Sequence, residues 1–313
     1  MKPLLIENTP HIRDAMTTQR IMRLVMLALL PASVMSVVQF GWRAAMLIVF
    51  CTVFSAACEG VCRNLMKREQ TVRDGSAALT GLLLALNLPV TIPLWEAGLG
   101  CVIAIALVKQ LFGGLGQNFA NPAITARIML MVSVAGDMTH WIRPGEPYYD
   151  AVTSATPLVS GEATLQELFW GTNIGGSLGE TSAAMLLLGG LFLIVTGIIS
   201  PVTPLSYLGT TALCTLLYTG GDLHAAAYQL LAGGLMLGAF FMATDYVTTP
   251  VTAPGKLIFG IGCGVLTFLI RQFGSVPEGV SFSILLMNLL TPYIDRFTTS
   301  HPFGVRRKKE AAK

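Results

Sequence analysis

The sequence predicts an all-α, polytopic membrane protein of about ten transmembrane helices, arranged in two inverted five-helix repeats that contain broken helices. Three observations lead to this fold class. Hydrophobic residues form 53% of the 313-residue chain and charged residues only 12%, whereas a soluble domain carries about a quarter charged residues. Apolar runs of membrane-spanning length recur along the chain. Polar, proline-containing segments interrupt both halves, as in proteins that bind ions or solutes at the bilayer midplane.

The N-terminal half contains five of the predicted spans. A polar segment without the features of a cleavable signal peptide, residues 1–20, precedes them. Residues 113–122 are too rich in glycine and polar groups for a plain span, so we predict that they break the helical structure. A membrane helix needs about 20 mostly apolar residues, and the runs of this half are residues 21–40, 42–62, 75–94, 97–112 and 123–135.

The C-terminal half repeats this plan after a polar segment at residues 137–181. Residues 244–255 form the second polar break, and residues 297–313 form a basic tail. Because each half has an odd number of spans, we predict inverted repeats at residues 21–136 and 182–296. The alternative is that the breaks are ordinary loops that happen to contain proline. The apolar runs of this half are residues 182–200, 205–219, 225–243, 256–273 and 280–294.

The basic residues predict the orientation in the membrane, because Lys and Arg concentrate in cytoplasmic loops. With the N-terminus in the cytoplasm, the outer side receives only Arg43, Arg143 and Arg271, and most other basic residues lie on the cytoplasmic side. Both chain ends are therefore predicted to be cytoplasmic, and the acidic segment 137–181 is predicted to be extracytoplasmic. The net charge of +3 reflects this topology and does not indicate nucleic-acid binding.

One carboxylate in the polar breaks is a candidate for ion transport. Asp245 lies in the second break, and carboxylates at membrane depth are usually functional. We predict that it contributes to a path for Na⁺ or H⁺; the alternative is that it caps a helix or contacts cytoplasmic water. The six cysteines all lie in apolar runs and are predicted to pack as small apolar residues. Cys58 and Cys62 share a helix face, but no second pair or nearby histidine completes a metal site.

Hydroxyl groups are concentrated in the predicted extracytoplasmic segment. Residues 150–158 read Asp-Ala-Val-Thr-Ser-Ala-Thr-Pro-Leu. A threonine hydroxyl is not reactive by itself, and the sequence shows no base that would activate it. From the residues alone, this segment is an exposed loop that carries hydroxyl groups and ends at a proline turn.

Four stretches of the chain carry a resemblance to a known family. They are Thr-Pro-His-Ile-Arg at 9–13, Lys-Gln-Leu-Phe-Gly-Gly-Leu-Gly-Gln-Asn at 109–118, Asn-Pro-Ala at 121–123 and Ser-Ala-Thr-Pro-Leu at 154–158. In order and spacing they resemble the NqrB/RnfD family of membrane subunits. These subunits belong to the sodium-pumping NADH:quinone reductase and to the Rnf ferredoxin:NAD⁺ oxidoreductase complex. The chain lacks the long N-terminal extension of NqrB and so resembles RnfD more closely.

The resemblance implies a covalent FMN on Thr156. In the family, a flavin transferase attaches FMN through its phosphate to a threonine in the pattern Asp-Gly-x-Ser/Thr-Gly-Ala-Thr. Two positions depart from the pattern: Ala151 and Ser154 stand where glycines are usual. Thr153 and Ser154 also carry hydroxyls, but both precede the position that matches the attachment site. The positions that match the pattern are Asp150, Thr153, Ala155 and Thr156.

The resemblance also implies a second, non-covalent flavin, riboflavin or FMN, within the membrane. We expect it at the polar breaks, where several side chains could bind it. Asn118, Asn121, Thr248 and Thr249 could form hydrogen bonds to a flavin edge, and Arg127 could contact an anion. The alternative roles for these residues are helix capping and pairing with backbone groups.

The function implied is that of a membrane subunit of an Rnf-type complex in a bacterial or archaeal cytoplasmic membrane. It would relay electrons while the complex moves Na⁺ or H⁺. The chain contains no nicotinamide fingerprint and no ferredoxin-type cysteine cluster. Partner subunits, including a second covalent-FMN subunit and membrane iron–sulfur subunits, are expected to supply those steps, so the chain alone is not expected to turn over. The alternative is an inverted-repeat channel or transporter for a small solute, which would have no use for a flavin-attachment motif.

Overall fold

The computed structural model describes residues 16–145, 156–161, 163–274 and 278–299, which form helices joined by turns, with no strand among these residues. Two short helices, α7 (Pro157–Ser160) and α8 (Leu165–Trp170), lie between the halves. The first half comprises α1 (Thr18–Phe40), α2 (Trp42–Leu65), α3 (Ser76–Leu86), α4 (Leu94–Val102), α5 (Pro122–Ser133) and α6 (Ala135–Met138). The second half comprises α9 (Ala183–Val195), α10 (Val202–Tyr218), α11 (Leu223–Leu231), α12 (Leu235–Leu237), α13 (Ala253–Phe273) and α14 (Val280–Thr298).

Several of these helices are suited to a membrane. By length and composition α1, α2 and α13 could each cross a bilayer, and the bent pair formed by α11 and residues Leu235–Met242 adds a fourth span if it is counted as one. Only 28% of the apolar window of α1 and 22% of that of α2 is buried within the chain. Large apolar faces that point outward are unfavourable in water, so they indicate contact with lipid or with other membrane subunits. The chain is therefore a multi-pass membrane protein.

The predicted apolar runs coincide with helices, but two runs are interrupted. Helix α3 ends at Leu86 although its run extends to residue 94, because Pro89 and Pro93 lack the N–H that a helix needs. Within the run 225–243, α11 and α12 are separated by a bend of 69°, and Gly233 has a positive φ of 68° there. This bend is a further interruption, which precedes the predicted break at residues 244–255. The ten-span count and the inverted relation of the halves stay predictions.

Two π-helices precede the predicted breaks. Ile103–Gln110 continues α4 and Gly238–Met242 continues α12, and each leads into one of the polar segments. Wider π turns are uncommon and frequently occur at functional sites. After the first break, the side chain of Asn121 accepts hydrogen bonds from the first amides of α5, and Pro122 occupies the first helical position.

Contacts between distant residues define two ends of the helical bundle. At one end, here named the loop end, Gln39 donates to the carbonyl of Gly171 at 2.5 Å and Thr91 donates to that of His140 at 2.8 Å. At the opposite end, here named the break end, both polar breaks line a common cavity. Close helix packing connects the halves: a Cβ on Gly189 of α9 would lie 2.1 Å from the carbonyl oxygen of Ala28 in α1.

Candidate functional site

Thr156 lies at the N-terminus of α7, in an extended conformation with φ −64° and ψ 155°. Its side chain is buried, and its hydroxyl has no hydrogen-bond partner among the described residues and does not cap the helix. Most buried hydroxyls are paired, so an unpaired one at this position is compatible with covalent attachment. The other predicted residues of the motif, Asp150, Thr153, Ser154 and Ala155, lie outside the residues that the structure describes.

The segment that carries Thr156 is anchored to the second half of the chain. The phenol of Tyr228 in α11 donates a hydrogen bond of 2.7 Å to the carbonyl of Pro157. Leu158 packs against a small apolar cluster that includes Leu168 and Ile174. These contacts hold the attachment position at Thr156 in place against the second half of the chain.

Arg127 lies at the centre of a buried charged cluster on the same side of the bundle. Its guanidinium donates to Glu278, to Asn87 at 2.9 Å and to Ser281 at 3.1 Å. The carboxylate of Glu180 lies 3.6 Å from the same guanidinium. Burial raises the pKa of Glu278, which precedes α14, to about 7, and the positive charge of Arg127 opposes that rise.

The sequence suggested that Arg127 could contact an anion. In the structure its guanidinium is paired with two carboxylates of the chain itself, those of Glu180 and Glu278. Neither Glu180 nor Glu278 is evident as a site residue from the sequence alone, and Glu180 reads there only as part of the acidic segment. A carboxylate that follows several glycines and precedes an apolar run is nevertheless a signal for a buried site.

A second buried charged cluster lies at the break end. Lys109, at the end of the first π-helix, is 1% exposed, and its ammonium lies 2.6 Å from the Ser76 hydroxyl and 3.2 Å from the carboxylate of Glu59. Gln110 and Thr71 donate to the same oxygen of Glu59, at 2.6 and 3.1 Å. Sequence reasoning did not pair Lys109 with Glu59, although ionisable residues inside apolar runs are usually functional.

Lys109 also lines the cavity between the polar breaks, together with Asn118, Asn121 and Asp245. The cavity has a volume of about 80 Å³. The side-chain oxygen of Asn118 is buried without a hydrogen-bond partner among the described residues. Asn121 caps α5, which is the alternative role considered for it. Its side-chain amide also donates to the carbonyl of Met242 at 3.4 Å, which connects the first break to the π-helix that precedes the second.

Asp245 is half-buried at the wall of this cavity. It accepts hydrogen bonds from the amide of Val247 at 3.4 Å and from the hydroxyl of Thr248 at 3.2 Å. The hydroxyl of Thr249 donates to the carbonyl of Asp245. Thr248 and Thr249 thus stabilise the second break locally, and Thr249 lines a neighbouring cavity of about 360 Å³.

The polar groups that line the cavity between the breaks suit a flavin, but the cavity is too small to hold one as it stands. Amide, carboxylate and ammonium groups converge there, as they do in sites that orient a cofactor. Ligand pockets usually measure about 300 to 1,000 Å³, so a flavin ring requires the lining side chains, among them Phe240 and Leu115, to move apart. The donors present fit a flavin edge, and the volume fits only after such a movement.

The cysteines form no metal site in the part of the chain that the structure describes. All six are free thiols, buried or half-buried within or beside helices. No group of three metal-ligating side chains occurs among the described residues. That the cysteines pack as small apolar residues stays a prediction.

Comparison with known proteins places the whole chain in one family. The family model described as NQR2, RnfD, RnfE matches residues 5–304. A subunit of the Na⁺-translocating ferredoxin:NAD⁺ oxidoreductase complex of Acetobacterium woodii is 48% identical over 99% of this chain and 98% of its own length. The corresponding subunit of the proton-translocating complex of Clostridium ljungdahlii is 43% identical over 96% of each chain. That of an ion-translocating oxidoreductase complex of Escherichia coli is 35% identical over 96% of this chain and 99% of its own length. The chain belongs to the NQR2, RnfD, RnfE family.

Proposed function

We propose that this chain is the membrane subunit through which an ion-translocating ferredoxin:NAD⁺ oxidoreductase relays electrons, using an FMN esterified to Thr156. The observation that carries the proposal is the buried hydroxyl of Thr156, which has no hydrogen-bond partner among the described residues. It coincides with the position that the motif assigns, in a chain whose relatives are named as subunits of such complexes.

The chain's own residues would serve this relay by fixing the attachment point. A bound FMN supplies reversible electron transfer, which no side chain of the protein provides. The Thr156 oxygen would form the phosphoester. The hydrogen bond from Tyr228 to Pro157 and the packing of Leu158 would limit the positions that the attached group can reach.

The second, non-covalent flavin would bind at the cavity between the polar breaks. The unpaired amide oxygen of Asn118 could accept a hydrogen bond from an N–H of a flavin ring. Lys109 would place a positive charge at the cavity wall, where it would favour negative charge on the ring. This binding requires the cavity to expand, and it is independent of the attachment at Thr156.

Asp245 would serve ion movement at the same end of the bundle. It lines the cavity on the second break, and its carboxylate is half-buried. The relatives named above differ in the ion that they translocate, Na⁺ in one and protons in another, so both ions are candidates. The distribution of basic residues supports a cytoplasmic membrane location with the break end in the cytoplasm.

The test of the flavin proposal uses the denatured chain, isolated from the complete complex. Thr156→Val keeps the shape of the side chain and removes the hydroxyl, so it should abolish in-gel flavin fluorescence. Thr164→Val is a matched control, because Thr164 lies nearby in sequence and caps α8, and it should leave the fluorescence unchanged. Fluorescence that persists in Thr156→Val would refute attachment at this residue.

A further inference from the structure

A cavity of about 360 Å³ lies next to the break-end cavity and is not used by the proposed electron path. It opens between the N-termini of α10 and α13. Polar side chains form much of its wall, among them Ser200, Thr203, Thr244 and Lys256. No acidic side chain of the described residues lines it.

The cavity has a positive charge that is not neutralised within the described residues. Lys256 lies in the first turn of α13, is half-buried and forms no ion pair there. The carboxylate of Asp295 forms no ion pair with Lys256; it accepts a hydrogen bond of 3.1 Å from the amide of Val251. An ammonium that lines a cavity without a carboxylate partner favours an anionic ligand.

The N-terminus of α10 adds a partial positive charge, because the first amides of a helix have no partner within it. In this 17-residue helix, Ser200 accepts from the amide of Val202 at 3.5 Å, and Pro204 has no amide proton. The amide of Thr203 remains free to donate to a ligand. Backbone amides of this kind are the usual contacts of phosphate groups at helix N-termini.

The hydroxyl of Thr203 points independently to a ligand. Its residue is 2% exposed and lines the cavity, yet the hydroxyl forms no hydrogen bond with any described residue. Other threonines of α10 bond to the preceding turn: Thr211 donates to Tyr207 at 3.0 Å and Thr215 donates to Thr211 at 2.8 Å. Thr203 has no preceding helical turn, so its hydroxyl stays unpaired within the described residues and is free to donate to a ligand in the cavity that it lines.

We propose that this cavity binds the phosphate of an anionic phospholipid headgroup. The ammonium of Lys256, the amide of Thr203 and the hydroxyl of Thr203 would each donate to phosphate oxygens. Exposed apolar side chains continue from the cavity along both helices, Leu205 at 65% and Leu257 at 47% exposure. They provide a surface for acyl chains, which distinguishes a lipid from a free phosphate ion. Basic pockets between membrane helices commonly recognise lipid headgroups.

The test measures lipid binding to the complete, delipidated complex by native mass spectrometry. Phosphatidylglycerol is the probe, phosphatidylcholine is the zwitterionic comparison and inorganic phosphate is the competitor. Lys256→Gln should weaken phosphatidylglycerol binding about five-fold, the effect expected for one basic residue near an anionic headgroup. Lys256→Arg should retain it. Lys67→Gln, which removes an exposed lysine outside the cavity, should bind like the wild type.

Thr203→Val provides a second variant that keeps the charge and removes the hydroxyl, and it should also weaken binding. Equal binding by the wild type, Lys256→Gln and Thr203→Val would overturn the proposal. Binding of inorganic phosphate without retention of phosphatidylglycerol would overturn the assignment to a lipid.

Discussion

The buried ion pair between Lys109 and Glu59 yields a quantitative prediction about stability. Replacing Lys109 by Met keeps most of the side-chain volume and removes the ammonium, which leaves the Glu59 carboxylate buried. The ammonium lies 3.2 Å from the carboxylate oxygen, which corresponds to an attraction of about 5 kcal/mol at an effective dielectric constant of about 20. Removing one partner of a buried pair destabilises a protein by about 3 to 5 kcal/mol.

We expect a value near the lower limit for Lys109→Met. Gln110 and Thr71 still donate to the same carboxylate, so the isolated charge keeps two neutral hydrogen bonds. The predicted decrease in the free energy of unfolding is about 3 kcal/mol. The double variant Lys109→Met, Glu59→Gln has no unpaired charge and should lose less than the single variant, with a coupling energy of at least about 1.5 kcal/mol.

Equilibrium unfolding of the reconstituted chain in mixed micelles would measure both values, with Glu59→Gln completing the double-mutant cycle. Arg23→Gln is a suitable control, since Arg23 is exposed on α1, and it should change the unfolding free energy by less than about 0.5 kcal/mol. A double variant as unstable as the sum of the two single variants would refute the assignment of Lys109 and Glu59 as a buried ion pair.

The other polar sites give three further predictions. Arg127→Met should destabilise the chain by about 3 to 5 kcal/mol, because two buried carboxylates lose their guanidinium; unfolding measurements that show less than about 1 kcal/mol would contradict the buried cluster. Asp245→Asn in the complete complex should keep the covalent flavin but lose ion-dependent electron transfer, and unchanged ion dependence of turnover would leave Asp245 with a structural role only. A cysteine placed at Gly161 should react with a membrane-impermeant thiol reagent in intact cells and one placed at Ala311 should not; the reverse pattern would refute the orientation.

Sequence reasoning identified most helices because membrane spans have a strong apolar signal. The apolar run 75–94 contains Pro89 and Pro93, which interrupt it, and α3 ends at Leu86 before both prolines. The bend between α11 and α12 lies inside an apolar run, so composition could not locate it. Gly233 was the available signal, and its positive φ is a property of the folded chain.

The candidate sites could be predicted only in part. The motif selected Thr156 as a candidate, which stays a prediction, and the polar breaks selected Asn118, Asn121 and Asp245, which the structure places around one cavity. The pairing of Lys109 with Glu59 joins residues that are 50 positions apart in the sequence, and no local pattern specifies such a contact. Predicting it requires the packing of α2 against the first π-helix, which depends on the tertiary structure.

Peptide mapping of the wild-type chain by mass spectrometry tests the covalent attachment of FMN most directly. The chain would be isolated from the native complex, digested and searched for a peptide that carries FMN. We expect one FMN, linked as a phosphoester to Thr156, with Thr153 and Ser154 unmodified. An unmodified Thr156 in a complex that is active and flavin-replete, or an FMN on one of the neighbouring hydroxyls, would contradict the proposed electron relay through Thr156.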